Sequence, residues 1–160
     1  MIKALIYSLN GRYYERAIQV FMLVVASHFL EHVCQIWQLY VISLPRPECL
    51  GLLGSFYPWL VTSEAFHYAH ALFMLLGLAV FRISPLGGFW WELALWLAFY
   101  HHLEHAILLS QALTGENFCS MRCSLGSFLM PRIELHFVYN LMILIPMIVA
   151  FKRQKRDLNP

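Results

Sequence analysis

A chain of 160 residues that is 60% hydrophobic and 16% aromatic has only 12% charged residues. Soluble domains carry about 25% charged residues, so a water-facing polar coat is excluded and a bilayer is the implied solvent. The length suits a single domain, 1–160, and a formal net charge of +2 with no basic stripe gives no sign of a nucleic-acid partner.

Met1 to Asn10 carries one Lys3, a short apolar run and no small-residue cleavage site. It is therefore expected to be retained, with the first span acting as the insertion signal. Four stretches follow that are long enough to cross about 30 Å of hydrocarbon, which takes roughly 20 residues. They run near Ala17–Leu44, Phe56–Ile83, Gly88–Leu113 and Ser127–Phe151. Pro45, Pro47 and Gly51 break the chain after the first span, and Ser84-Pro85-Leu86-Gly87-Gly88 breaks it after the second. Thr114-Gly115-Glu116-Asn117 opens the third loop. Connections this short force antiparallel neighbours, so the expected fold is an all-α, integral membrane four-helix bundle running up-down-up-down.

Lys3, Arg12, Arg16, Arg82, Lys152, Arg153, Lys155 and Arg156 fall on the side of the termini and the second loop. Only Arg46 and Arg122 lie in the first and third loops, so both termini are expected in the cytoplasm and loops 1 and 3 on the outer, periplasmic or lumenal, side. Cys49, Cys119 and Cys123 are then on an oxidising face, where a disulfide among them is expected, although the pairing is not legible. Trp59, Trp90 and Trp91 suit interface anchors. Arg132 beside Glu134 suggests an ion pair, and Gln38 and Gln111 suit hydrogen bonds across helices.

The chain repeats itself. His28-Phe29-Leu30-Glu31-His32 followed by Gln38 matches His101-His102-Leu103-Glu104-His105 followed by Gln111, at an offset of 73. Leu53-Gly54-Ser55-Phe56 then matches Leu125-Gly126-Ser127-Phe128 at an offset of 72. Each unit next enters a helix with acid and imidazole: Glu64, His67 and His70, then Glu134 and His136, with Tyr139 at the place of His70. Two tandem helical hairpins, about 17–83 and about 88–151, imply a pseudo-two-fold axis along the membrane normal.

All eight histidines lie in the four spans, interleaved with Glu31, Glu64, Glu104 and Glu134. At about 1.5 Å per residue the four polar bands fall in one layer, somewhat outside the bilayer centre. Ionisable groups at that depth are costly and point inward to a partner. Imidazoles with carboxylates on four helices suit iron, zinc or manganese. The candidate ligands are His28, Glu31, His32, Glu64, His67, His70, His101, Glu104, His105, Glu134 and His136; His102 lies off the common face.

The H-x3-H, H-x2-H and H-H-x2-H spacings resemble the histidine boxes of membrane di-iron desaturases and hydroxylases. The two-fold repeat with interleaved glutamates is similar to ferritin-like di-iron carboxylate bundles. Together these resemblances imply two divalent transition-metal ions, with iron preferred, and oxidoreductase chemistry on a lipid or other hydrophobic molecule. An electron donor or a larger membrane complex would then be a partner. Three other readings remain open: a b-type haem electron carrier with axial histidines, a divalent-metal transporter, and a structural subunit of a larger complex.

Overall fold

The computed structural model describes residues 1–83, 88–119 and 123–158, without the side chains of residue 2 and of residues 155–158. Most of the second joint (84–87) and Arg122 lie outside the described residues. Among the described residues the chain is all-α and has no strand. The helices are α1 (Ile2–Asn10), α2 (Tyr14–Tyr40), α3 (Gly51–Phe56), α4 (Pro58–Thr62), α5 (Glu64–Phe81), α6 (Phe89–Thr114) and α7 (Arg132–Leu158).

The long helices start and stop for local reasons. The second expected span begins at Phe56, but the continuous helix α5 starts only at Glu64. Pro58 lacks an N–H, so the chain restarts there, and Ser63 then caps α5 by accepting the Phe66 N–H on its hydroxyl oxygen at 3.2 Å. Gly115 closes α6 with a left-handed φ of 75°, a conformation that favours glycine. α1 was not expected as a helix. It is fastened by Asn10, whose side-chain amide donates to the Val80 carbonyl of α5 at 3.0 Å.

Three helical stretches are long and apolar enough to cross a membrane: Tyr14–Tyr40, Glu64–Phe81 and Arg132–Gln154. The sequence leads one to expect four. The 26-residue α6 has the length but not the hydropathy, because His101, Glu104, His105 and Gln111 are among its residues. All four are buried, whereas Trp96, Phe99 and Leu103 form its exposed side. Its polarity is turned inward.

α5 packs on α6, α6 on α7 and α7 on α2, while the α2–α5 seam is the thinnest of the four. The apolar core gathers at one end: Ile18, Phe21 and Val25 from early α2, Met74, Leu78 and Phe81 from late α5, Trp91, Ala94 and Ala98 from early α6, Ile143 and Met147 from late α7. Ala94 and Ala98, both fully buried, let the α6 backbone come close to its neighbours. Trp91 is not an interface anchor. It is fully buried, and its indole N–H donates to the Leu78 carbonyl at 2.8 Å, which satisfies its single donor. Trp59 is exposed, and Trp90 is half-buried beneath the Arg153 guanidinium at 5.4 Å.

Candidate functional site

The opposite halves of the long helices carry the polar layer. Seven of the eight imidazoles form one contact network. His28 stacks on His70 with ring centroids 3.7 Å apart and meets His32 at 4.7 Å. His32 faces His136 at 5.6 Å, His136 faces His105 at 4.9 Å, and His105 meets His101 at 4.6 Å and His67 at 5.7 Å. The i, i+4 spacing of His28–His32 and of His101–His105 puts each pair on one helix face, which is why the rings touch. His102 stands outside, against Tyr68 at 5.0 Å. Tyr139 lies 5.5 Å from His101, as His70 lies beside His28.

Hydrogen bonds fix the tautomers of three rings. His67 Nδ1 sits 3.0 Å from the Ser63 carbonyl and His136 Nδ1 sits 2.7 Å from the Arg132 carbonyl, each four residues back. A carbonyl only accepts, so Nδ1 bears the proton and the Nε2 lone pair of the neutral ring is left available. His32 Nδ1 is held likewise by Gln35 Oε1 at 2.9 Å. Such outer contacts orient imidazoles that ligate metals. His32 Nε2 lies 3.1 Å from His28 Nε2, and with the His32 proton on Nδ1 it accepts the hydrogen bond from the His28 ring.

Other nitrogens have no hydrogen-bond partner among the described residues. His70 Nε2, both ring nitrogens of His101 and His105 Nδ1 are buried in this state, as are His102 Nδ1 outside the network and the carboxylate oxygen Oε2 of Glu104. Buried polar atoms are nearly always satisfied, and leaving one unsatisfied costs about 1–3 kcal/mol. A cluster of neutral imidazoles with orphaned nitrogens fits a transition metal by the chemistry of its donors. No three His, Cys, Asp or Glu side chains among the described residues are gathered tightly enough to hold one ion as they stand.

The structure brings the imidazoles together and gives each of the four carboxylates another partner. Glu31 accepts from the Leu53 N–H at 3.0 Å, and Glu104 accepts from the Gly126 N–H at 2.7 Å. Glu64 forms a two-pronged pair with Arg132, at 2.6 and 2.7 Å. Glu134 is bound by Arg46 at 2.6 and 2.7 Å and by the Tyr40 hydroxyl at 2.6 Å. The expected Arg132–Glu134 pair is thus replaced by two pairs that cross between the sequence halves. Local sequence order could not reveal this, because Arg46 is in a loop 88 residues from Glu134.

Of the two matched glutamines, Gln38 of α2 reaches the first residue of α3 as expected, whereas Gln111 holds a loop residue. Gln38 brackets the backbone of Gly51, accepting its N–H at 2.8 Å and donating to its carbonyl at 3.2 Å. Gln111 brackets Cys123 in the same way, accepting its N–H at 3.2 Å and donating to its carbonyl at 2.5 Å. Gly51 is required at its position: φ is +77°, and a Cβ there would collide with Glu31 Oε2. Cys123 is also joined to Cys119 by a disulfide, so of the three loop cysteines Cys49 stays free. Burial pushes the Cys49 thiol above its ordinary value, and it donates to the Pro45 carbonyl at 3.5 Å.

Two cavities reach the imidazoles. One of about 330 Å³ is lined by His32, Gln35, Cys49, Glu64, His67 and His136, with Arg46 and Arg132 also on its wall. The other, about 200 Å³, lies at the α2–α5 seam and exposes His28 and His70 among Val24, Leu60 and Phe66. Gln35 is the site residue that sequence reasoning missed; a polar residue one turn beyond His32 was the available signal. Compared with protein-family models, with curated proteins and with solved structures, the chain finds no match.

Proposed function

We propose that the chain is a multi-pass membrane metalloprotein whose imidazole cluster binds two transition-metal ions, iron first among them, for oxidoreductase chemistry on a hydrophobic molecule. The observation that carries this reading is the network of seven imidazoles with tautomers set from outside and orphaned nitrogens within. Within this reading His28, His32, His67, His70, His101, His105 and His136 are the ligands. Glu31, Glu64, Glu104 and Glu134 act around them, anchoring the outer loops and pairing the arginines. Iron so held would supply one-electron chemistry. The chain's own residues would exclude water, orient the rings and admit substrate through the seam.

The membrane part of the proposal is a four-helix bundle of two tandem hairpins with both termini cytoplasmic. It is supported by three apolar helices of spanning length, by an apolar core drawn alternately from helix starts and helix ends, and by matched glutamine brackets at matched positions. The haem reading needs only two axial ligands and leaves five of these imidazoles without a purpose.

Elemental analysis and an optical spectrum of the purified full chain test the proposal together. Iron with weak near-ultraviolet absorption, lost in His105→Ala, is the expected result. A Soret band would replace it with the haem reading. A folded protein that takes up neither iron, zinc nor manganese would overturn it.

A further inference from the structure

The imidazole layer is open at one end of the bundle and closed at the other. The cavity of about 330 Å³ begins among Arg46, Pro47 and Cys49 of the first loop and Thr62 of α4, and its wall carries His32, His67 and His136. Its two guanidiniums each meet a carboxylate, Arg46 with Glu134 and Arg132 with Glu64, so neither confronts an arriving cation with an unbalanced charge. The seam cavity shares His32, Gln35, Val61 and His67 with it, so the two join at the rings. Toward the termini the bundle is filled instead. Ile18, Met74, Leu78, Trp91, Ala98 and Met147 are each at most 1% exposed. Below them the buried Tyr14 hydroxyl donates to the buried Gln154 Oε1 at 2.8 Å. From Tyr14 to Val25 the filled half covers eleven residues of α2, about 16 Å of helix.

We propose that divalent metal ions reach the imidazole cluster, and leave it, through the first-loop cavity from the aqueous phase on the side of loops 1 and 3, and not from the side of the termini. The proposal rests on the metal-centre reading above and gives that site its route of loading. Water decides the direction. Stripping an ion of its hydration costs several kcal/mol unless new ligands replace it, and the filled half offers apolar side chains where the cavity offers imidazoles. The seam cavity is rimmed by Val24, Leu60 and Phe66, which exclude a hydrated ion in the same way. His67 and His136 are the first contacts on the open route. Both line the cavity and both hold the proton on Nδ1, which leaves the Nε2 lone pair to take an ion as it sheds water. His101 and His105, each 1% exposed, lie behind them and fill last. A transport path would need a polar way through the filled half as well; a site loaded from one side does not.

The test uses the full chain, freed of metal, in phosphatidylcholine nanodiscs, with Co(II) as the probe because its visible absorption strengthens when imidazole replaces water. Thr62 is exposed on the cavity wall and outside the ligand set. Thr62→Cys carrying a bulky maleimide should lose rapid Co(II) uptake, while wild-type protein treated alike keeps it. Pro47→Cys serves the same end should that variant misfold. Arg12→Cys, modified in the same way at the other end of the bundle, should keep uptake too. Sealed vesicles then report the side. External EDTA should strip Co(II) only from molecules whose third loop faces out, counted by reaction of Glu116→Cys with a membrane-impermeant maleimide. Uptake unchanged by a maleimide at 62 or 47 would overturn the proposal and leave the metal centre standing. So would Co(II) loss that follows the inward-facing molecules or ignores orientation. A folded protein that takes up no Co(II) removes the centre and its route together.

Discussion

Replacing Glu104 separates a metal ligand from a loop anchor. Its Oε1 accepts the buried Gly126 N–H at 2.7 Å, and the Tyr139 hydroxyl lies 3.4 Å away. In Glu104→Ala that N–H is left buried without an acceptor, a cost of about 1–3 kcal/mol, and the vacated side-chain volume adds to it. A total of about 3 kcal/mol is expected. Glu104→Gln keeps a carbonyl oxygen for the same N–H and puts an amide nitrogen in place of the buried Oε2, for about 1 kcal/mol. In a chain of this size each kcal/mol lowers Tm by about 2–4 °C. Circular dichroism of the detergent-solubilised protein should therefore show a fall of roughly 6–12 °C for Ala and a few degrees for Gln. Metal per folded protein should be unchanged in both. A Glu104→Gln protein that keeps its Tm and loses half its metal would refute the loop-anchor role and restore the carboxylate to the ligand set.

His67→Ala and His136→Ala should each lower metal content, because both rings are aimed by an Nδ1 contact to a backbone carbonyl; His102→Ala, whose ring rests on Tyr68, should not. Gln111→Ala removes both bonds to the Cys123 backbone, for about 2 kcal/mol, and limited proteolysis should then cut the third loop sooner while metal is retained. Maleimide counting should find Cys119 and Cys123 unreactive until reduction. Cys49, whose thiol is raised by burial, holds less thiolate than an open cysteine at any given pH. Its alkylation should be slow in the folded protein, quicken as pH rises, and jump on unfolding. Fast labelling of native Cys49 near neutral pH would contradict its buried position.

Periodicity and composition made the long helices and the polar layer legible, because length and the inward pull on ionisable groups depend on local sequence alone. The grouping of His28, His32, His101 and His105 on inward faces followed from i, i+4 spacing. The fate of the glutamates did not. Whether a buried carboxylate meets a metal, an arginine or a backbone N–H depends on where a loop comes to rest, and the loops that serve Glu31 and Glu104 lie 22 residues onward in sequence. Arg46 reaching Glu134 is a pairing of the same kind over a longer separation. The start of α5 was misjudged because the apolar run from Phe56 continues through Pro58 and Ser63, where backbone chemistry rather than hydropathy ends one helix and caps the next. Trp91 was misjudged because its place near a helix start suggests a boundary, while the helix turn directs it into the core.

The crossed arginines have a bearing on how such a chain can be divided. Glu64 in the first half of the sequence pairs with Arg132 in the second, and Glu134 in the second half pairs with Arg46 in the first. Cut at the second joint, each fragment would carry one acid and one base whose counterparts had left with the other piece. Neither fragment would be electrically self-sufficient, and two copies of the same fragment would have to find a new exchange of charges. The two pieces produced together should seek each other in preference to their own kind. The sequence repeat would then act as a pair of unlike halves, matched through these four side chains.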